Sequence, residues 1–219
     1  NLNLPAGPYD QTSIEGHDDV LIFTSDVLTE SYEATGPVIA KLFVSSDCPD
    51  TDFTVKLTDV YPDGRSMLIT DGILRMRNRN GTDHWEFMEP REIYEIEVDM
   101  WSTSYIWNTD HRIRVAVSSS NYPRFLNNPN TNDPMAQNTT YNVAQNTIYL
   151  DADHPSCVIL PEPNQEALSM NPNNIHYEDN TGSLRNTMKE RLLRFLQNSN
   201  KVFPKKIVDP FVPFDSTFT

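Results

Sequence analysis

Cysteine is scarce in this chain, at 2 of 219 residues, and glycine nearly so, at 7. Cys48 and Cys157 lie far apart and match no metal-ligand spacing, which argues against a zinc-built fold. In an oxidising compartment they could pair; the alternative is two buried free thiols. No stretch of about 18 apolar residues occurs, which removes a membrane-spanning helix. Positive charge is also short, with 17 Lys and Arg against 31 Asp and Glu and a formal net charge of −14. Such a field repels nucleic-acid phosphate and anionic lipid, so neither nucleic acid nor a membrane is expected as a partner. The start, Asn1-Leu2-Asn3-Leu4-Pro5, has no initiator methionine and no signal-peptide pattern. It reads as the start of a fragment, a processed product or a partly observed protein, and leaves the compartment unassigned.

What the chain does have, up to about residue 160, is apolar side chains at every second position. Phe53, Val55 and Leu57 alternate with Thr54, Lys56 and Thr58; Tyr94, Ile96, Val98 and Met100 alternate with Glu95, Glu97 and Asp99. Ile113, Val115 and Val117 form a third stripe, Val38, Ala40, Leu42 and Val44 a fourth, and residues 20–24, 68–77 and 157–160 add further candidates. One apolar face per strand predicts antiparallel pairing and a half-buried sheet. Pro62-Asp63-Gly64 and Asn80-Gly81 supply turns between strands. The expectation is an all-β jelly-roll sandwich over residues 1–165. Residues 119–146, rich in Ser, Asn and Pro, have no period and read as a long loop that either carries function or packs as an irregular excursion.

From Glu166 onward the character changes: the residues before it carry a formal charge of −15 and those from it onward +1. Residues 183–198 predict an amphipathic helix with Leu184, Met188, Leu192, Phe195 and Leu196 on one stripe, a candidate partner-docking surface. Thr181 or Ser183 can cap it. Beyond it, Pro204, Pro210 and Pro213 stand among Phe203, Phe211, Phe214 and Phe218, which predicts an extended end laid over a surface. Residues 166–219 are therefore an added tail.

Several blocks carry a family resemblance. Leu4-Pro5-Ala6-Gly7-Pro8-Tyr9-Asp10-Gln11, Thr35-Gly36-Pro37-Val38, Asp50-Thr51-Asp52-Phe53-Thr54-Val55-Lys56-Leu57 and Asp59-Val60-Tyr61-Pro62-Asp63-Gly64-Arg65 come first. Thr70-Asp71-Gly72-Ile73-Leu74-Arg75-Met76-Arg77 follows, then Ser118-Ser119-Ser120-Asn121-Tyr122-Pro123-Arg124-Phe125 with Asn128-Pro129-Asn130-Thr131, and finally His154-Pro155-Ser156. Together they resemble the C-terminal domain of X-Pro dipeptidyl-peptidases and cocaine-esterase-like α/β-hydrolases, up to about residue 161. The resemblance implies a galactose-binding-like jelly roll that packs against a hydrolase domain and helps wall its cleft. The parent would be a serine hydrolase acting on peptide, ester or amide bonds, with its catalytic residues upstream. The rival expectation is a scaffold that kept the sandwich without the hydrolase and docks to an assembly through its tail.

No catalytic residue is assigned within the chain. A hydrolase of that fold needs a Gly-x-Ser-x-Gly elbow to present its serine, and none occurs. His111 and His154 thus have no serine to activate. Asp47, Asp50 and Asp52, and the pair Asp151 and Asp153, lack the spaced loop that calcium's six to eight oxygens require, so no metal is assigned. No cofactor is expected. Trp85, Trp101 and Trp107 are the aromatics a sugar would need, though each also suits a core or an interface. Phe53 is the one candidate for a cleft-facing position, while its place in the Phe53-Val55-Leu57 stripe reads as inward.

Overall fold

The structure, a computed structural model, describes residues 7–134, 140–161 and, as backbone, 206–208. Period-two segments become β1 (Leu21–Thr24), β2 (Tyr32–Ser45), β3 (Asp52–Val60), β4 (Ser66–Arg75), β5 (Tyr94–Trp107) and β6 (Arg112–Ser118). Three short strands follow: β7 (Gln145–Tyr149), β8 (Cys157–Ile159) and β9 (Lys206–Val208). A four-residue helix, α1 (Thr12–Glu15), precedes them. The order β1-β6-β3-β4 makes one sheet and β5-β2-β7-β9 the other, with β8 also on β2. Every pairing is antiparallel.

Each sheet turns its apolar stripe toward the other. Phe53, Val55, Leu57, Ile113, Val115 and Val117 meet Val38, Ala40, Leu42, Val44, Ile96, Val98 and Met100 in one continuous core. Burial of each large side chain contributes about 1.5–3 kcal/mol, which makes this core the main source of stability. The result is the expected all-β sandwich. Among the described residues, no helix is long and apolar enough to cross a membrane.

β7 and β8 lie along the same side of β2, end to end. Phe43 pairs with Tyr149, and Lys41 pairs with Cys157, so residues 150–156 form an excursion from an otherwise continuous ladder. The hydroxyl of Ser156 closes the gap: it accepts from the Phe43 amide at 2.8 Å and donates to the Tyr149 carbonyl at 2.6 Å. β7 corrects the expectation of a loop running through residue 146. Its sequence, Gln-Asn-Thr-Ile-Tyr, hides the strand because buried Asn146 makes side-chain hydrogen bonds where an apolar residue would ordinarily pack.

β3 is buried on both faces. On its outer face Lys56 and Thr58 lie under the segment around α1, and the Thr54 hydroxyl bonds that of Ser118 at 2.7 Å. There Lys56 Nζ donates to Gln11 Oε1 at 3.0 Å, and Glu15 accepts from Ser66 Oγ and Arg114, each at 2.6 Å. Burial draws the Lys56 ammonium below its ordinary pKa, against the nearby carboxylates of Asp71 and Glu15.

β4 and β5 close one side of the sandwich. Thr70 Oγ1 donates to the Met100 carbonyl at 2.5 Å, and a Cβ at Gly72 would collide with the Asp99 carbonyl oxygen. Only glycine permits this approach. The helix expected over residues 183–198, its stripe of Leu184, Met188, Leu192, Phe195 and Leu196, and the Pro- and Phe-rich end after it, apart from β9, lie outside the described residues.

Candidate functional site

Three connections meet at one end of the sandwich: residues 46–51, residues 76–93, and a third whose described parts are 119–134 and 140–144. Buried side chains rather than regular ladders hold them there. Asp50 accepts from the Arg77 backbone amide at 2.8 Å and from Arg77 Nε at 2.6 Å, with both side chains almost fully buried. The rest of the guanidinium donates to the carbonyls of Asp133 at 2.9 Å and Thr131 at 2.6 Å. One arginine therefore fixes the course of the third connection. Asp52 takes a forked pair of 2.8 Å bonds from Arg75. Asn128 Nδ2 then bridges Asp50 and Asp52 at 2.8 and 2.7 Å.

Desolvation pushes the Asp52 carboxyl above the usual range, while the Arg75 fork and the Asn128 amide favour its charged form. Asn146 Nδ2 joins Thr51 and Ser119 at 2.8 and 2.7 Å, tying the first and third connections to β7. Such a network gains little over an apolar core of the same volume; what it adds is a single defined geometry. The exposed skin of this end includes Leu126, Tyr141 and Val143. Trp85 and Phe87 cover Arg77, whose guanidinium carbon lies 5.0 and 5.2 Å from their ring centres.

The same 119–134 loop reaches a second feature on the β4–β5 side. Arg124 meets the buried carboxylate of Asp71 at 3.1 Å, and Asn121 Nδ2 donates to it at 2.8 Å. Arg124 and Asp71 line an open concavity of about 580 Å³, together with Gly7, Pro8, Ile69 and Trp101.

Two bulges shape this concavity. Against β3, β4 carries an extra residue at Ile69, because Leu57 pairs with Thr70 and Thr58 with Leu68. Against β2, β5 carries one near Trp101, because Pro37 pairs with Ser102 and Ile39 with Asp99. Trp101 has φ of +66°, in the left-handed region, and its amide donates to Asp99 Oδ1 at 2.8 Å. The bulge also moves the inward phase of β5 by one residue. Ile96, Val98 and Met100 point inward before it, and Tyr105 and Trp107 after it. The indole of Trp101 is left outside, 68% exposed.

The candidates from the sequence fall in different places. Phe53 is completely buried between the sheets and offers no surface to a cleft. Of the tryptophans, Trp107 is in the core, Trp85 belongs to the loop end and Trp101 to the concavity. Asp50 and Asp52 are taken up by arginines. Asp47 accepts from the Gln145 amide, and Asp151 from the Asp153 and His154 amides. No group of three or more His, Cys, Asp or Glu suited to a metal occurs among the described residues. His111 Nδ1 donates to buried Asp59 at 2.8 Å, and Asp59 also accepts from the Tyr105 hydroxyl at 2.8 Å. Burial, then that carboxylate, raise the Tyr105 phenol. No serine hydroxyl is among the hydrogen-bond partners of His111 or His154 in the described residues. Cys48 and Cys157 are both buried.

Sequence reasoning missed both bulges. A signal for the second was present: the apolar phase passes from even positions through Met100 to odd positions at Tyr105 and Trp107.

Residues 5–159 match the model of a family described as the X-Pro dipeptidyl-peptidase C-terminal non-catalytic domain. Cocaine esterase of Rhodococcus sp. (strain MB1 Bresler) is 46% identical over 157 residues, covering 71% of this chain and 27% of that protein. Among solved structures, an aminopeptidase from the marine sediment archaeon Thaumarchaeota archaeon superposes with a TM-score of 0.68 at 27% identity, over 72% of this chain and 28% of its own. An α-amino acid ester hydrolase gives 0.68 at 27% identity, over 71% and 27%. The chain thus spans less than a third of the length of these relatives.

Proposed function

The chain belongs to the family of X-Pro dipeptidyl-peptidase C-terminal non-catalytic domains, and on that footing we propose that it packs against the α/β-hydrolase domain of a serine hydrolase and shapes that domain's cleft. Its non-catalytic character follows from the family. The observation that carries the proposal is the 46% identity to a stretch amounting to 27% of cocaine esterase, which leaves the greater part of that enzyme to do the chemistry. An esterase, an aminopeptidase and an ester hydrolase are among the relatives, so the bond cleaved by the whole protein is an ester or an amide. The rigid loop end supports a role in shaping a neighbour, since a surface that is to define a cleft must hold one geometry.

Calorimetry of the whole protein with activity followed in parallel tests this. The sandwich and the hydrolase domain should unfold in one transition, and Val115→Ala should lower the temperature at which activity is lost. Activity that survives after the sandwich has melted would overturn the proposal. A second reading, assembly through the tail, draws on the family match ending at residue 159. Deletion of residues 183–219 distinguishes it, by abolishing association with a partner while leaving the sandwich folded.

A further inference from the structure

Two surfaces compete as the place where a catalytic domain would sit: the loop end and the Trp101 concavity. We propose that the concavity is the seat. An apolar side chain of the hydrolase domain would lodge between Trp101 and Ile69, with a hydrogen-bond acceptor beside it facing Arg124. This rests on the accessory-domain reading and goes further by naming the surface and the chemistry it accepts.

The first argument is the construction of the site. A β-bulge re-aims a side chain, and here neighbouring strands carry one each, at Ile69 and Trp101, opening onto the same hollow. A non-glycine residue at φ of +66° is unfavourable and persists only where its surroundings hold it, as the Asp99 carboxylate does here. The outcome of that strain is a large indole held in water at 68% exposure. Trp and Arg are the residues that most often dominate an interface, and Trp101 and Arg124 line this one together.

The second argument is chain connectivity. Gly7 and Pro8 form part of the rim. A C-terminal domain is joined to the rest of its protein through the residues before it, so the polypeptide from the hydrolase arrives at the edge of this hollow. Tethering at this edge raises the effective concentration of whatever lies at the other end of the connection, the more so the shorter that connection is.

The third argument is electrostatic. Asp71 holds Arg124 through one contact at 3.1 Å, and the guanidinium is half exposed. Its remaining donors can face an incoming acceptor, in a chain whose formal net charge is −14. The loop end differs: Trp85 and Phe87 already cover Arg77.

Hydroxyl-radical footprinting of the whole protein, read by mass spectrometry at Trp101 and Trp85, tests the assignment without any substitution. In the sandwich itself Trp101 is 68% exposed and Trp85 51%, so Trp101 should oxidise faster wherever nothing covers it. Docking at the concavity reverses the order, with Trp101 oxidised several-fold more slowly than Trp85 at every protein concentration. Trp101→Arg should then separate the shared melting transition into two, and Trp85→Arg should not. Faster oxidation of Trp101 with the shared transition intact would place the hydrolase elsewhere, overturning this proposal but sparing the accessory reading. Faster oxidation with two independent transitions would overturn both. Protection of Trp101 that disappears on dilution would assign the hollow to a second copy of the chain and equally overturn the proposal.

Discussion

The core between the sheets and the loop end beside it are held by opposite means. In the core, Phe53, Leu57, Ile96 and Val98 interlock with no charged partner, and the contribution of each is close to the apolar area it removes from water. At the loop end, Asp50, Asp52, Arg75 and Arg77 carry full charges into a mostly buried setting, and Asn128 and Asn146 join strands to loops. A core side chain can be trimmed and the loss is graded. A member of the ionic network cannot be removed without leaving its partner desolvated and unpaired, so the loss there is abrupt. Stability comes chiefly from the first region and defined shape from the second.

The strongest test of this contrast breaks the network. Asp50→Ala strips the buried Arg77 guanidinium of its carboxylate and should cost about 3–5 kcal/mol in urea unfolding, whereas Asp50→Leu with Arg77→Met should cost clearly less. An equal loss in the single and double variants would mean that the charges add stability after all. Next comes the core, where Ile96→Ala should cost about 2–4 kcal/mol, scaling with the cavity left behind. Gly72→Ala tests the close approach of β4 and β5. Its methyl meets a backbone oxygen that cannot swing away, for a loss of about 1–3 kcal/mol.

A smaller effect concerns Cys48. Burial, aided by the Asp47 carboxylate, pushes its thiol from 9.0 to about 11. The folded chain therefore holds that proton more tightly than the unfolded chain. The associated stability is complete below about pH 9 and is lost as the pH rises through about 11. Alkylation of Cys48 at pH 8 should accordingly be far slower in the native chain than in urea. Smallest of all, Leu126→Ala at the exposed rim of the loop end should change stability by less than about 0.5 kcal/mol. A larger loss would show that the skin of that end, and not only its buried network, supports the fold.

Much of the sandwich was legible because a strand with one buried face repeats every second residue. The stripes from Val38, Phe53, Tyr94 and Ile113 all appear as strands. β7 was not legible, since its central Asn146 is buried for its hydrogen bonds. The loop end was visible only as a family signature. Nothing local in Asn128 or Arg77 reveals that they share Asp50 across gaps of 78 and 27 residues. Nothing local in the acidic clusters separates their members: Asp47 and Asp151 accept backbone amides, whereas Asp50 and Asp52 are buried ion-pair partners. Trp101 read as one of three equivalent tryptophans. What sets it apart is one extra residue in β5, a feature of pairing between strands rather than of composition.

We propose that this chain assists a serine hydrolase without taking part in the chemistry. A fluorophosphonate probe applied to the whole protein, with the labelled peptide identified by mass spectrometry, tests it most directly. The label should fall on a single serine outside residues 1–219. Stoichiometric labelling of any serine within them would contradict the account.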